Sequence, residues 1–353
     1  MMRFETKTTS SIIRGRRRRS RFCGLPSSQQ SERIFAFGCV AGVLLALLVP
    51  ASYRSFLRSR SNVSQVFDRP DFTMERKKGA NKEGNRTLVI VMGGLRCGEG
   101  AWNTLYKNVL DVNSADLAIM TGYVRPVYEN SSLFHRAKYV WRHNEYADWG
   151  DAIDLINGTG WRTKVLPRLQ VLDHLLGGIN GSKLGSGAIT GMIRWWISGR
   201  IQELGLRSIY DRFVITRSDH YYLCANNISK LDSKYIWAPE GEDYFGLCDR
   251  YIVGNADNIL DVLDVIPTFM NDFDKSHVFT AAHNPESMLL MNLIYKGYYF
   301  PEEHVRRFRR MMFVCMSPGD DSRTYQTLGP FVKEGVHLKY EDEYTMARIT
   351  CGL

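Results

Sequence analysis

The chain reads as an α/β protein, a mostly parallel sheet flanked by helices that follows one N-terminal transmembrane helix. Three observations predict this. From Leu88 onward, short apolar runs alternate with amphipathic stretches, and alternating strands and helices build parallel sheets covered on both faces. One long apolar run, Ile34–Val49, stands directly behind an arginine-rich head. Residues 54–87 are polar and charged without an apolar period, which separates that run from the rest. The organisation is therefore a basic cytosolic tail over 1–33, a signal anchor over 34–53, a flexible stem over 54–87 and a luminal domain over 88–353.

The anchor comes first. Its sixteen apolar residues rise about 24 Å as a helix, which suits the thinner membranes of the endoplasmic reticulum and Golgi. Arg14, Arg16, Arg17, Arg18, Arg19, Arg21 and Arg33 precede it, and the more basic flank stays cytosolic. The expectation is a single-pass type II protein whose body is luminal. Val49 and Ala51 also satisfy the spacing of a cleavage site, although the region before the run is long for a signal peptide.

Charge supports a divided chain. Residues 1–60 hold twelve Lys and Arg against two Asp and Glu, a net of +10 in a total of +9; residues 61–353 are left with 34 basic and 35 acidic residues, a net of −1. The basicity belongs to the head, so the body carries no charge excess for nucleic acid. Asn62, Asn85, Asn130, Asn157, Asn180 and Asn227 each open an Asn-x-Ser/Thr acceptor site after the run, which agrees with a luminal body. Cys97, Cys224, Cys248, Cys315 and Cys351 also lie there. An oxidising lumen permits disulfides, and an odd count leaves at least one thiol free or paired between chains. Cys23 and Cys39 fall in the head and the run; Cys23 reads as an unmodified thiol, with acylation as the alternative.

Leu88–Met92 predicts a buried strand, Gly93–Gly100 a glycine-rich loop, and Ala101–Leu110 a helix with Trp102, Leu105 and Val109 on one face. Ala115–Met120 is the next strand. Residues 123–185 are mixed, with helical stretches near 136–146 and 165–176. Thr190–Leu204 predicts a helix, Arg212–Thr216 a strand, Tyr235–Ala238 and Asp249–Gly254 two more strands, and Ala256–Phe269 a helix. Asn284-Pro285 marks the start of a helix over Glu286–Tyr295. Met312–Met316 closes the pattern as a late strand.

In such sheets a ligand lies beyond the carboxyl ends of the strands. Two loops occupy that position. In Gly93-Gly94-Leu95-Arg96-Cys97-Gly98-Glu99-Gly100 the glycines, Gly94 among them, let backbone approach a ligand, and Arg96 offers a planar fork for phosphate. The loop is neither a Walker motif nor GxGxxG, and a plain tight turn fits it as well. Arg212-Phe213-Val214-Ile215-Thr216-Arg217-Ser218-Asp219 delivers Arg217 and Asp219 to a strand end, two apart and on the same side. A cation beside a carboxylate suits a diphosphate with its divalent metal, or a ribose hydroxyl; a structural ion pair is the alternative.

The order of these motifs resembles GT-A-type glycosyltransferases related to capsular and lipopolysaccharide sugar transferases. LVIVMGGLR, ADLAIMTG, YDRFVITRSD, CDRYIVGN and NPESMLLMNLIYKG occur in the family's sequence over residues 88–316. The resemblance implies a GT-A-like (nucleotide-diphospho-sugar transferase) fold. It implies a luminal enzyme moving a sugar from a nucleotide-sugar donor to an acceptor hydroxyl on a glycan, protein or lipid. It also implies that Arg217 contacts phosphate, that Asp219 meets a divalent metal (Mn or Mg) or ribose, and that Gly94 and Arg96 lie against the nucleotide. Asp249 and Glu286 would face the sugar or acceptor, one of them a base. Ser218 stands where the family often has proline.

Other charged groups have plainer readings. Asp272-Phe273-Asp274 is a literal DxD that follows a helix and caps or exits it, with a metal site as the alternative. Glu240-Gly241-Glu242-Asp243 follows a strand as a second metal candidate or a solvated turn. Asp320-Asp321 and Glu341-Asp342-Glu343 read as surface charge. His304, Arg306, Arg307, Arg309 and Arg310, behind Pro301-Glu302-Glu303, form a solvated helix face or a diphosphate clamp. Trp195-Trp196 point to different faces of one helix, so at least one is core. His135, His143 and His174 lack ligand spacing, which argues against zinc. Two alternatives stay open: a Golgi sulfotransferase, against which the RCGEGAWNT stretch at Arg96–Thr104 counts because Glu99 would repel its donor, and a non-catalytic membrane-tethered sugar-binding or interaction module.

Overall fold

A computed structural model describes residues 86–168, 175–179, 185–298, 303–320, 329–333 and 335–353. The basic head, the apolar run, the stem, Asn62, Asn85, Asn180, His174, Pro301-Glu302 and Asp321 lie outside the described residues. Among the described residues no helix is long and apolar enough to cross a membrane.

The fold is α/β, built on a seven-stranded sheet. Its strands are β1 (Thr87–Met92), β2 (Asp116–Thr121), β3 (Tyr139–Arg142), β4 (Arg212–Arg217), β6 (Ile236–Pro239), β7 (Ile252–Asn255) and β8 (Val305–Phe308). They lie in the order β3-β2-β1-β4-β7-β6-β8. All neighbours are parallel except at β7, which runs against both β4 and β6. A second sheet joins β5 (His220–Tyr222), β9 (Met312–Met316), β10 (Phe331–Lys333) and β11 (Val336–Leu338) in the order β10-β11-β9-β5.

The central strand shows why the sheet is covered twice. Every residue of β1 is buried. Leu88, Ile90 and Met92 enter one apolar cluster, Val89 and Val91 the other. An unbroken Leu-Val-Ile-Val run is the signature of a strand buried on both faces, and each such side chain contributes about 1.5–3 kcal/mol. On the first face pack α3 (Trp149–Asn157), α5 (Gly187–Glu203), α6 (Ile259–Leu263), α7 (Val265–Asp272) and α8 (Pro285–Tyr295). Gly191 lets α5 and α7 approach closely, because a Cβ there would lie 2.1 Å from Ile266 Cγ1. The other face is covered by α1 (Glu99–Leu105), the small sheet and α9 (Glu341–Cys351). Helices alone were expected there; four short strands share the work. Two short helices, α2 (Ser132–Arg136) and α4 (Gly160–Lys164), complete the set.

Several expectations change. The helical stretch expected near 136–146 is strand β3, whose Tyr-Val-Trp core favours a pleated surface. The helix comes later, at α3, where the Asp148 side chain accepts from Gly150 N at 2.8 Å. The helix expected over 101–110 ends at Leu105 and continues as a π turn over Tyr106–Leu110, still burying Trp102, Leu105 and Val109. The helix expected over 256–269 breaks at Asp264 into α6 and α7. Near 165–176 the structure has a 3-10 turn over Leu166–Arg168, and 169–174 lie outside the described residues. The His304–Arg310 run is no helix face: it contains edge strand β8.

Disulfides join Cys97 to Cys315 and Cys224 to Cys351, and Cys248 is the buried free thiol that the odd count requires.

Candidate functional site

The β1–α1 loop and the end of β4 meet through Ser218. Its hydroxyl donates to the Gly94 carbonyl at 2.9 Å and accepts from Arg96 N at 3.0 Å. Trp102 Nε1 lies 3.1 Å from both the Arg96 and the Ser218 carbonyls. The departure from proline thus supplies a hydroxyl that stitches the two loops together. Cys97 adds the bond to Cys315, and its backbone N donates to the Asp320 carboxylate at 3.0 Å. Asp320 also pairs with Arg125 at 2.8 Å, so it is a buried brace and not the surface charge expected. Gly94 is exposed, and space is open on the side a Cβ would take.

Arg217 and Asp219 do share one side of the strand end. The guanidinium donates twice to the carboxylate, Nε to Oδ1 at 2.8 Å and Nη2 to Oδ2 at 2.5 Å. Arg96 Nη1 stands 3.7 Å from Oδ2. Asp219 is buried, while both arginines keep about a quarter of their side-chain surface (27% and 28%). Burial pushes the Asp219 carboxyl up, but Arg217 and Arg96 outweigh it and hold the group well below the usual carboxylate range. The expected metal role for Asp219 meets this geometry directly. Both carboxylate oxygens are engaged by guanidinium groups. At about 4 Å and an effective dielectric near 20, one pair of unit charges interacts by about 4 kcal/mol. A doubly charged ion on Asp219 would face two cations against one carboxylate. Among the described residues there is no group of three or more His, Cys, Asp and Glu that could hold a metal ion. As placed, Asp219 presents guanidinium groups and not a free carboxylate edge to a divalent cation.

Asp249 reaches the same edge because β7 is antiparallel. Ile252 pairs with Ile215, so two further residues along the register bring Arg250 level with Arg217, and Asp249 follows. A parallel strand would have placed both at the opposite end of the sheet. Asp249 is bound by the buried Arg194 at 3.2 Å, with Arg194 also donating to the Asp249 carbonyl. Glu286 sits in the first turn of α8, where Asn284 accepts from Ser287 N and the Ser287 hydroxyl accepts from Asn284 N. Burial first, then the Asp249 charge, raises the Glu286 carboxyl to about 8.

Sequence reasoning missed three residues. Arg250 is buried and pairs with Glu343 at 2.7 Å, with Glu242 at 3.8 Å and with Glu286 at 4.0 Å. Glu343 is fully buried; it also takes Arg310 at 3.1 Å and accepts from Val314 N at 2.7 Å. It is the opposite of surface charge. Lys339 follows β11, with its N donating to the Val314 carbonyl at 3.1 Å, while Cys315 N donates to the Asp219 carbonyl at 2.8 Å. Strand β9 thus carries Lys339 to the Asp219 corner. Burial lowers the Lys339 ammonium to about 8, and Arg217, Arg96 and Arg250 lower it further against the pull of Asp219. No motif announces these residues. Their only signal was charge placed beside short apolar strands near the C-terminus.

The remaining candidates sort themselves by partner. Asp272 ends α7 and pairs with Lys275 at 2.5 Å; Asp274 pairs with Arg168. Asp243 pairs with Arg307 at 2.8 Å. Arg306 stacks on Tyr235 at 3.8 Å, and Arg310 donates to the Glu240 and Gly241 carbonyls. These contacts give Arg306, Arg307 and Arg310 structural partners. Trp195 and Trp196 are both half-buried against the core, with Trp196 stacked on His143 at 5.3 Å. Glu99 accepts from the Ser132 backbone and hydroxyl. Beside the carboxylates, Glu242, Tyr244 and Phe245 hold left-handed backbone with φ of 56°, 44° and 64°. Phe245 is 80% exposed. Gly246 permits this loop to press on α8: a Cβ there would lie 2.1 Å from the Glu286 carbonyl carbon. Leu247 N donates to the Glu286 carbonyl at 3.1 Å, and Asn284 Nδ2 to the Tyr244 carbonyl at 2.7 Å.

One strand-end corner thus holds a cationic side, with Arg96, Arg217 and Lys339, and an acidic side, with Asp249 and Glu286. No protein-family model matches the chain, and no curated protein matches it.

Proposed function

We propose that the protein is a GT-A-like glycosyltransferase that moves a sugar from a nucleotide-sugar donor to an acceptor hydroxyl. The observation that carries this reading is the juxtaposition of two solvent-reaching arginines with a buried, proton-holding glutamate at the carboxyl edge of one sheet. The arginines suit the donor diphosphate, since a guanidinium fork binds phosphate oxygens in pairs. In a direct displacement the acceptor oxygen bonds to the anomeric carbon while the bond from that carbon to the diphosphate oxygen breaks. The acceptor proton passes to Glu286, and Arg96 and Arg217 stabilise the charge arriving on the leaving diphosphate. Asp249, held by Arg194, keeps Glu286 basic enough for this work. Direct transfer of this kind inverts the anomeric centre.

The acceptor side falls to the strained loop. Exposed aromatic faces suit sugar rings, and unusual backbone gathers at ligand clamps. Tyr244 and Phe245 combine both beside Glu286. Three exposed acceptor asparagines, Asn130, Asn157 and Asn227, together with two disulfides, support a luminal setting in the Golgi or endoplasmic reticulum behind a type II anchor. The test is transfer from a panel of labelled nucleotide sugars to glycan, protein and lipid acceptors. Turnover that disappears in Arg217→Ala and in Glu286→Gln is expected. Undiminished turnover in both variants refutes this site.

A further inference from the structure

Resting on that reading, we infer that the donor diphosphate is held by side-chain cations alone, with Arg96, Arg217 and Lys339 in the place of a divalent metal and Asp219 as their positioning residue.

The argument starts from what Asp219 is doing. A carboxylate that serves a metal keeps at least one oxygen toward the ion. Here Oδ1 and Oδ2 both accept from Arg217, and Oδ2 faces Arg96 as well. The carboxylate is buried beneath the guanidinium groups, which themselves reach solvent. The order from the interior outward is therefore carboxylate first and cations second. A ligand arriving from solvent meets the cations.

Charge then limits the ligand. Arg96 and Arg217 reach solvent over the buried Asp219 carboxylate, and Lys339 is brought to the same corner. A diphosphate diester carries one negative charge on each phosphate, which such a cationic face suits without a metal. Arg250 stands behind this layer, but Glu343 binds it closely, with Glu242 and Glu286 farther off, so it is spoken for. Lys339 adds a compact point charge beside two planar forks. It arrives from a different part of the fold, through the backbone links from β11 to Val314 and from Cys315 to Asp219.

Asp219 has a second consequence under this arrangement. It fixes the Arg217 fork with two parallel bonds, so the guanidinium presents its remaining N–H groups in one direction. Removing its charge while keeping its shape frees Arg217 and leaves the corner more positive. A metal-ligating aspartate behaves in the opposite way, since losing it loses the ion.

The experiment is calorimetry on the intact protein with UDP and GDP, in excess EDTA and in excess MnCl2, for the native chain, Asp219→Asn and Lys339→Gln. Circular dichroism confirms that each variant is folded. The native chain is expected to bind one of the two nucleotides with Kd values within about twofold between EDTA and manganese. Lys339→Gln is expected to weaken binding about tenfold in both conditions, and Asp219→Asn to retain binding in EDTA. Binding that needs manganese, or that tightens tenfold or more with it, overturns the inference while leaving the glycosyltransferase reading intact. Absence of binding in both conditions overturns the two together. Should Asp219→Asn not fold, the EDTA comparison and Lys339→Gln decide alone.

Discussion

Glu286 keeps its proton to about pH 8 because it is buried and because the Asp249 carboxylate lies beside it. Arg194 binds Asp249 at 3.2 Å and so fixes that carboxylate beside Glu286. A base with such a value is mostly protonated at neutral pH and reaches half-ionisation near pH 8.

The pH profile of activity follows from two groups. Under the proposed transfer Glu286 must lose its proton to act as base, and Lys339 must keep its own to bind diphosphate; both titrate at about 8. The expected profile of kcat/KM is a narrow bell centred near pH 8. Lys339→Arg should flatten the alkaline limb, because an arginine stays charged. Glu286→Gln should lower kcat by about 100-fold or more and abolish the acid limb. Initial rates across pH check both variants.

Stability should run against activity. Glu286 is raised from 4.5 to about 8, so folding gains from its proton below 4.5 and loses that gain as pH rises to 8. His220 is lowered from 6.5 to about 3 by burial, with its Nδ1 bonded to the Thr216 hydroxyl, so its contribution is full above 6.5 and falls as pH drops toward 3. Between 4.5 and 6.5 the two nearly cancel. From 6.5 to 8 only Glu286 changes, costing about 2 kcal/mol. Above 8 the depressed Lys339 restores stability as pH climbs toward 10.5. The unfolding free energy should therefore dip near pH 8. Glu286→Gln should remove the decline from 6.5 to 8 and expose a rise of about 2 kcal/mol between pH 5 and 6.5 due to His220. Urea unfolding at each pH measures this.

Glu343→Gln tests the buried network. Two arginines share this carboxylate, and Arg310 is fully buried with it. Breaking a buried pair by removing one partner costs about 3–5 kcal/mol. Thermal unfolding should shift down by roughly 10 °C, with Kd for nucleotide rising as Arg250 loses its fixed position. A Tm unchanged within a degree rejects the network as a stabilising element.

Phe245→Ala isolates the acceptor side. The ring is mostly exposed, so its loss should leave Tm nearly unchanged while raising KM for the acceptor several-fold at constant KM for the donor. Equal KM values for native and variant remove the aromatic platform from the proposal.

The sheet was legible wherever the signal was local. LVIVM, ADLAIM and RFVIT each announce a doubly buried strand, and Asn284-Pro285 announces the helix that carries Glu286. The Arg217–Asp219 pairing was legible in outcome but not in cause, because the strand ends at Arg217 and a turn brings Asp219 onto its guanidinium. Direction was not legible. The antiparallel run of β7 depends on partners far away in the chain, yet it decides that Asp249 and Arg250 reach the ligand edge. Glu343 and Lys339 were hidden for a related reason. A Glu-Asp-Glu run looks solvated until one knows that two buried guanidinium groups await its last member. Strand β3 was misread because four residues are too few to show a period against an amphipathic background.

The Arg250–Glu343 pair spans 93 residues of sequence. At synthesis rates of roughly 5–20 residues per second, Arg250 leaves the ribosome some 5–20 s before its counter-ion exists. Arg310 waits through part of the same interval. The central sheet can form in that time, but its working edge holds unbalanced guanidinium groups until α9 docks and Cys351 meets Cys224. The nascent protein is thus a scaffold with an unfinished edge, and closure of the Cys224–Cys351 disulfide lies on the path to a complete corner.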